Sequence, residues 1–244
     1  MSTLTPVPAS TPLERARRPA RSRVGWAVVA LLALAIAAVS LGTYASQSLQ
    51  SLGESNSVVL TYAEGSDLLQ AALYTHIVSA SAALLLGPVQ FWKRLRHRFT
   101  TAHRISGRIY AVSVTLGALS GLVIAPSNSA GGIGVAGFGL LGLLWLGSVV
   151  LAVRAARQRH LAQHQAWMIR NYALTFAAVT LRLWLIVLIV AYTAAGAQSE
   201  DAAFASAYLW VPFLCWVPNV LVAEWLIRRR GLPSLIGRRT VTAR

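Results

Sequence analysis

The sequence predicts an all-α bundle of six membrane-spanning helices with both termini on the cytoplasmic side. Three observations carry this expectation. Apolar residues make up 56% of the chain and charged residues 12%, against roughly 45–50% and about a quarter in soluble domains. Such a chain cannot cover its own surface in water. The apolar residues gather into six runs, each long enough to supply the roughly 20 helical residues that cross the hydrocarbon layer. Finally, the basic residues fall almost entirely on alternate connections.

The six runs lie near 24–43, 67–92, 107–125, 134–153, 171–195 and 207–227. The first follows Arg15, Arg17, Arg18, Arg21 and Arg23 and ends near Ala45-Ser46, the outline of a signal peptide. Its apolar stretch is long for the h-region of such a peptide, so we read a retained span. The Ser-rich connection 44–66 shows no aromatic cluster or metal-ligand spacing, and reads as a solvated connector with room for a short interfacial helix. Span two offers Ser79 and Ala83, and span three Gly117 and Gly121, at a four-residue spacing that lets helix backbones approach closely in lipid. The stretch 126–132 is a turn by its Pro and Gly content. Span six carries Pro212 and Pro218, which should bend it and free backbone carbonyls. Residues 1–23 then form a basic cytoplasmic tail and 228–244 a second one. Between them, 24–227 form the membrane domain, with spans two to five as its core and span one at its periphery.

The chain holds 22 Lys+Arg against 7 Asp+Glu, a formal charge of +15. Of the 22, 21 sit in the first tail, the second-to-third connection, the fourth-to-fifth connection and the last tail. The opposite loops carry Glu54, Glu64, Asp67, Glu200 and Asp201 and no Lys or Arg. The positive-inside rule places the basic segments in the cytoplasm. A nucleic-acid binder is excluded, because its basic residues would lie along a water-soluble face. The single Cys215 excludes disulfide frameworks, thiolate zinc sites and four-cysteine iron–sulfur clusters. Arg outnumbers Lys 21 to 1, which reads as the coding bias of a GC-rich bacterium, and the inner membrane is the expected location of such a multi-pass chain.

The one basic residue that topology does not explain is Arg182, near the middle of span five. Holding an Arg at mid-bilayer costs at least about 2.5 kcal/mol, so it needs a partner, water or a bound anion. Glu224 lies about 10 Å shallower by helix rise, which argues against a direct salt bridge. Asn219, Tyr192 and carbonyls freed by Pro218 are the other partners on offer. His76 lies about 13 Å below the outer end of span two, within about 5 Å of the depth of Arg182. The pair is the candidate mid-membrane ligand site, with Gln90 and Asn219 as further polar groups. The plainer alternative is a neutral His76 bonded to a backbone carbonyl of a neighbouring helix.

His97, His103, His160 and His164 cluster at the cytoplasmic boundary. His103 leads into span three in His103-Arg-Ile-Ser-Gly-Arg108-Ile-Tyr110, and His164 into span five in His164-Gln-Ala-Trp-Met-Ile-Arg170-Asn-Tyr172. If spans three and five are neighbours, His103, Arg104, Arg108, His164 and Arg170 converge on one rim, with Glu224 at a similar level. Such a rim suits a small anion, an anionic lipid headgroup or the propionates of a haem. A two-His haem would use His103 and His164, because His76 lies roughly 20 Å from that edge. His160 and His164 stand four apart, but no Glu lies between them and no third carboxylate is near, so no metal site is predicted.

Tyr74-Thr-His76, Leu86-Gly-Pro-Val-Gln90-Phe-Trp92, the two histidine stretches above continued to Arg182, and Trp216-Val-Pro-Asn-Val-Leu-Val-Ala-Glu224 together resemble a family. It is the bacterial predicted-membrane-protein family, domain of unknown function 2306. The likeness runs from about 70 to 226, with 164–182 its most specific part. It implies a polytopic membrane protein and brings no activity with it. It falls on His76, Gln90, His103, Arg108, His164, Arg170, Arg182, Asn219 and Glu224, while Asn171 stands where Ser would be expected.

Two functions follow as expectations. One is a binder or transporter of a small anion or lipid, using His76 and Arg182 in mid-membrane and the basic rim as a gate. The other is a haem-binding electron-transfer protein using His103 and His164. A structural or regulatory protein without ligand is the third possibility. No nucleophile–base arrangement or carboxylate pair points to an enzyme.

Overall fold

The computed structural model describes residues 20–235, so Arg15, Arg17, Arg18, Arg238, Arg239 and Arg244 lie outside the described residues. Among the described residues all regular structure is helical. Six stretches are long and apolar enough to cross a membrane: Val24–Ser46, Asp67–Phe91, Thr100–Ser127, Gly131–Arg157, Leu161–Ala194 and Val211–Arg229. The protein is a multi-pass membrane protein.

The spans are built from α1 (Ala20–Ser46), α4 (Asp67–Phe91), α6 (Thr100–Ile124), α7 (Gly131–Arg157), the pair α8 (Leu161–Thr175) and α9 (Ala177–Ala194), and the pair α11 (Val211–Leu214) and α12 (Val217–Arg229). Short helices α2 (Leu49–Ser55), α3 (Ser57–Ala63) and α10 (Glu200–Tyr208) cover the acidic end, and α5 (Lys93–Arg98) lies at the basic end. Connection 44–66 is therefore two capped helices. Ser48 Oγ accepts from Ser51 N at 3.2 Å, and Asn56 Oδ1 from Val58 N at 3.0 Å and Val59 N at 3.3 Å.

Spans three and five begin well before their apolar runs, at Thr100 and Leu161. Intrahelical hydrogen bonding continues through polar turns that hydropathy does not register, and this puts His103, Arg104, Arg108, His164 and Arg170 on helices. Span six starts later than its apolar run, because 200–208 form a separate helix and Pro212 opens a new first turn.

Small residues set the closest packing, between α4 and α6. Ala83 and Ala118 are fully buried there. A Cβ on Gly117 would meet Trp145 Cη2 at 2.9 Å and Ser79 Oγ at 3.1 Å. Pro88 inside α4 has no N–H, so the carbonyl of Leu84 loses its helical donor. The hydroxyl of Tyr172 on α8 donates to it instead, at 3.3 Å. Gly87 makes this possible, since a Cβ there would lie 1.8 Å from Tyr172 Cε2.

At the next carbonyl in need, Trp92 N turns to Val89 O, and the indole of Trp26 on α1 donates to Pro88 O at 2.9 Å. Span one otherwise buries little beyond Ala33 and Ala37, which pack on Leu84 and Val179. It is peripheral. Leu31 and Leu34 on α1 and Leu183, Ile186, Val187 and Val190 on α9 are exposed, as lipid-facing side chains are.

Candidate functional site

The largest buried polar group lies where α6, α7 and α8 meet. Tyr110 donates its hydroxyl to Asn171 Oδ1 at 2.6 Å and lies 3.1 Å from Thr175 Oγ1. The indole of Trp145 donates to Thr175 Oγ1 at 2.9 Å. Asn171 Nδ2 donates to Trp145 O at 2.9 Å and to Ser148 Oγ at 2.8 Å. Asn171 thus has its oxygen and both amide protons engaged. A fully satisfied network of this kind fixes helix register. The sequence signal for it was the pair Asn171 and Thr175, one helical turn apart inside an apolar run.

His76 does not meet Arg182. Its Nδ1 lies 2.8 Å from Gly117 O on α6, and its ring stands edge-on to Trp145 at 6.4 Å between centroids. Gly121 leaves the room, since a Cβ there would be 3.1 Å from the imidazole. The Gly117/Gly121 pair of span three is therefore the seat of His76 as well as a packing stripe. Arg182 faces span one: Nη1 donates to Ala178 O at 2.7 Å and Nη2 to Ser40 Oγ at 2.9 Å, with Tyr44 close enough to interact electrostatically. Neither Asn219 nor Tyr192 is its partner, and a lone Ser in an apolar run gave no warning of the contact.

Asn219 instead occupies the break between α8 and α9. Its amide lies 3.1 Å from Ala173 O, 2.9 Å from Thr180 Oγ1 and 3.0 Å from Cys215 O. Thr180 donates to the same Cys215 carbonyl. The irregular backbone of spans five and six is satisfied by these two side chains, which explains how it survives in lipid.

At the basic end the structure does gather predicted residues. His103 on α6 and His164 on α8 are close enough to interact electrostatically, as are His103 and Arg96. His164 Nδ1 is held 2.9 Å from Ala152 O on α7. His103 Nδ1 is buried and has no hydrogen-bond partner. Gln90 belongs here rather than with His76, about 21 Å along α4 from it by helix rise. Its Nε2 donates to Ser106 Oγ at 2.7 Å, and Ser106 Oγ donates to Ala102 O at 2.7 Å and lies 3.3 Å from His103 O. Gln90 thus braces the turn of α6 that carries His103. Arg104 and Arg108 are exposed on the same turns.

Arg170 is not part of that open rim. It forms a two-pronged buried ion pair with Glu224, through Nε to Oε1 and Nη2 to Oε2, with side chains only 6% and 11% exposed. Nη2 also donates to Pro233 O at 3.2 Å, and Leu235 N donates to Glu224 Oε2 at 3.3 Å. The guanidinium lies 4.6 Å over the Trp167 ring. The pair ties α8, α12 and the segment after α12 together. Among the described residues no three His, Cys, Asp or Glu side chains group as metal ligands.

The model of the predicted membrane protein family DUF2306 matches residues 73–227. The chain belongs to that family. The DUF2306 part thus runs from the second span to the sixth, and includes His103 and His164 of the basic end, the central network and the Arg170–Glu224 pair. Ser40, the partner of Arg182, precedes it. No curated protein and no solved structure matches the chain.

Proposed function

We propose that this membrane protein binds a small anion or an anionic amphiphile at its basic end, with His103 and His164 as the receiving groups and Arg104 and Arg108 as the field that draws it in. One observation carries the reading: His103 Nδ1 is buried without a hydrogen-bond partner, within electrostatic reach of His164. About 90% or more of buried polar groups find a partner, so an unpaired one within electrostatic reach of a second histidine marks a place where a ligand completes the bonding. A neutral imidazole has one donor and a protonated one has two. An anion bound here accepts from an imidazole N–H, which either state supplies. The positive-inside rule puts this end in the cytoplasm, with both termini, and we assign the membrane as the inner membrane of a bacterium.

Inorganic phosphate titrated into the purified protein at a single neutral pH tests the reading. Binding should be lost in His103→Ala and in His164→Ala. Equal binding by the variants would overturn it.

A second reading rests on His164. An imidazole whose Nδ1 is held by a backbone carbonyl presents Nε2 as metal-binding histidines do, so a haem between His103 and His164 is the alternative occupant. Protein from haem-supplied cells would then show a Soret band that weakens in either alanine variant, and a colourless preparation excludes it.

A further inference from the structure

Between α6 and α7 runs a groove of about 620 Å³, within the roughly 300–1,000 Å³ of specific ligand sites. Its walls are apolar, from Ala111 to Leu116 on one helix and from Val149 to Val153 on the other, and its basic end carries Arg154 and Arg157. Thr115 turns its hydroxyl back to Ala111 O at 2.9 Å, and Gln158 lines the groove beside the two arginines. Arg154 and Arg157 are exposed, as is Arg108 one turn before the groove on α6. No carboxylate answers them, the Arg170–Glu224 pair being the one salt bridge among the described residues.

The depth of the groove is informative. From Val149 to Arg157 on α7 the helix rises about 12 Å, while half of the hydrocarbon layer is about 15 Å. The groove therefore spans one leaflet, from headgroup level almost to the midplane, and opens sideways to the acyl chains.

We propose that this groove holds an anionic phospholipid from the leaflet at the basic end, its phosphate on Arg154 and Arg157 and one acyl chain along the apolar floor. A soluble anion would leave the floor unused. A zwitterionic lipid would bring a cation into a cluster of arginines that offers no carboxylate. The site is separate from His103 and His164, which do not line it, and stands whether or not they bind a ligand.

The full chain, purified and exchanged into bilayer discs of phosphatidylglycerol or phosphatidylcholine, tests the proposal by native mass spectrometry of the lipid retained on release. Phosphatidylglycerol should be retained in preference to phosphatidylcholine. Each arginine near the surface changes binding about fivefold, so Arg154→Gln with Arg157→Gln should weaken retention about 25-fold. Replacing both by Lys should keep most of it, and His103→Ala should leave it unchanged. Thr115→Phe fills the floor and should abolish retention with every arginine in place. If that variant does not give monodisperse helical protein, Ala111→Leu serves the same purpose. Equal retention of the two lipids overturns the proposal. So does undiminished retention in the floor-filling variant, which would reduce the arginines to a general attraction for headgroups, and so does displacement by inorganic phosphate alone.

Discussion

The hydroxyl of Tyr172 donates to the backbone carbonyl of Leu84 at 3.3 Å, taking the place of the N–H that Pro88 lacks. Helix α8 thereby repairs a defect in α4, and the Gly87-Pro88 pair of the sequence is explained as one device: the proline frees a carbonyl and the glycine admits the ring that reaches it. Interhelical hydrogen bonds in membranes contribute about 0.6–2 kcal/mol. Tyr172→Phe should lower stability by about that amount, and by much less in the Pro88→Ala background, where the helix supplies its own donor. Denaturant unfolding in detergent, followed by helical circular dichroism, measures the coupling. Equal losses in both backgrounds would disprove the link.

Gly87→Ala tests the other half of that device. The added Cβ would lie 1.8 Å from Tyr172 Cε2, so the ring must move and its bond to Leu84 must break. The loss should exceed that of Tyr172→Phe, in the range of about 1–3 kcal/mol typical of overpacking. A Gly87→Ala protein as stable as its parent would show that α4 and α8 do not approach as described.

The buried Arg170–Glu224 pair predicts an asymmetry. Removing one partner leaves an uncompensated charge, so Glu224→Ala should cost about 3–5 kcal/mol, whereas replacing both partners by Met and Leu should cost far less. Because Glu224 also accepts from Leu235 N and Arg170 donates to Pro233 O, the single variant should expose the segment after α12 to protease. Limited proteolysis reads this directly, and an unchanged cleavage pattern would count against the tie.

The six spans were legible because hydropathy and charge asymmetry act over twenty or more residues and survive any local irregularity. Partners were not. The depth argument put His76 and Arg182 at one level, and a depth computed along two helices says nothing of which faces those helices turn to each other. His76 turned to α6, where Gly117 and Gly121 left space, and Arg182 turned to Ser40 on span one. The convergence of His103 and His164 was legible because each sits a similar number of residues before an outward-running span, so topology alone brings them to one level. The opposition of Arg170 and Glu224 was missed because a charge count by segment assigns both to the rim without asking which of them is buried.

Arg182 gives span one a role that its sparse burial does not suggest. Its guanidinium is held by Ser40 and Ala178 O, and removal of span one would leave it facing lipid, at a cost of at least about 2.5 kcal/mol. A chain begun at residue 48 should therefore give little monodisperse protein, and Arg182→Leu should recover part of the yield. Size-exclusion profiles of the two truncated proteins decide the matter, and equal profiles would mean that span one matters only through the apolar contacts of Ala33 and Ala37.

Asn171 makes the sharpest distinction between packing and bonding. Asp has almost the same shape, but in place of two amide protons it would set a carboxyl oxygen against Trp145 O and Ser148 Oγ. Asn171→Ala removes the bonds yet leaves Tyr110 with Thr175 and Ser148 with Trp145 O, 3.0 Å apart, so the loss should be about 1–3 kcal/mol. Asn171→Asp should cost more than Ala despite filling the space, because a buried carboxylate without a cation is far more expensive than an unfilled amide site. Its stability should recover partly as pH falls and the carboxyl is protonated. If Asp proves the milder of the two at neutral pH, the network is not the determinant of register among α6, α7 and α8 that its geometry indicates.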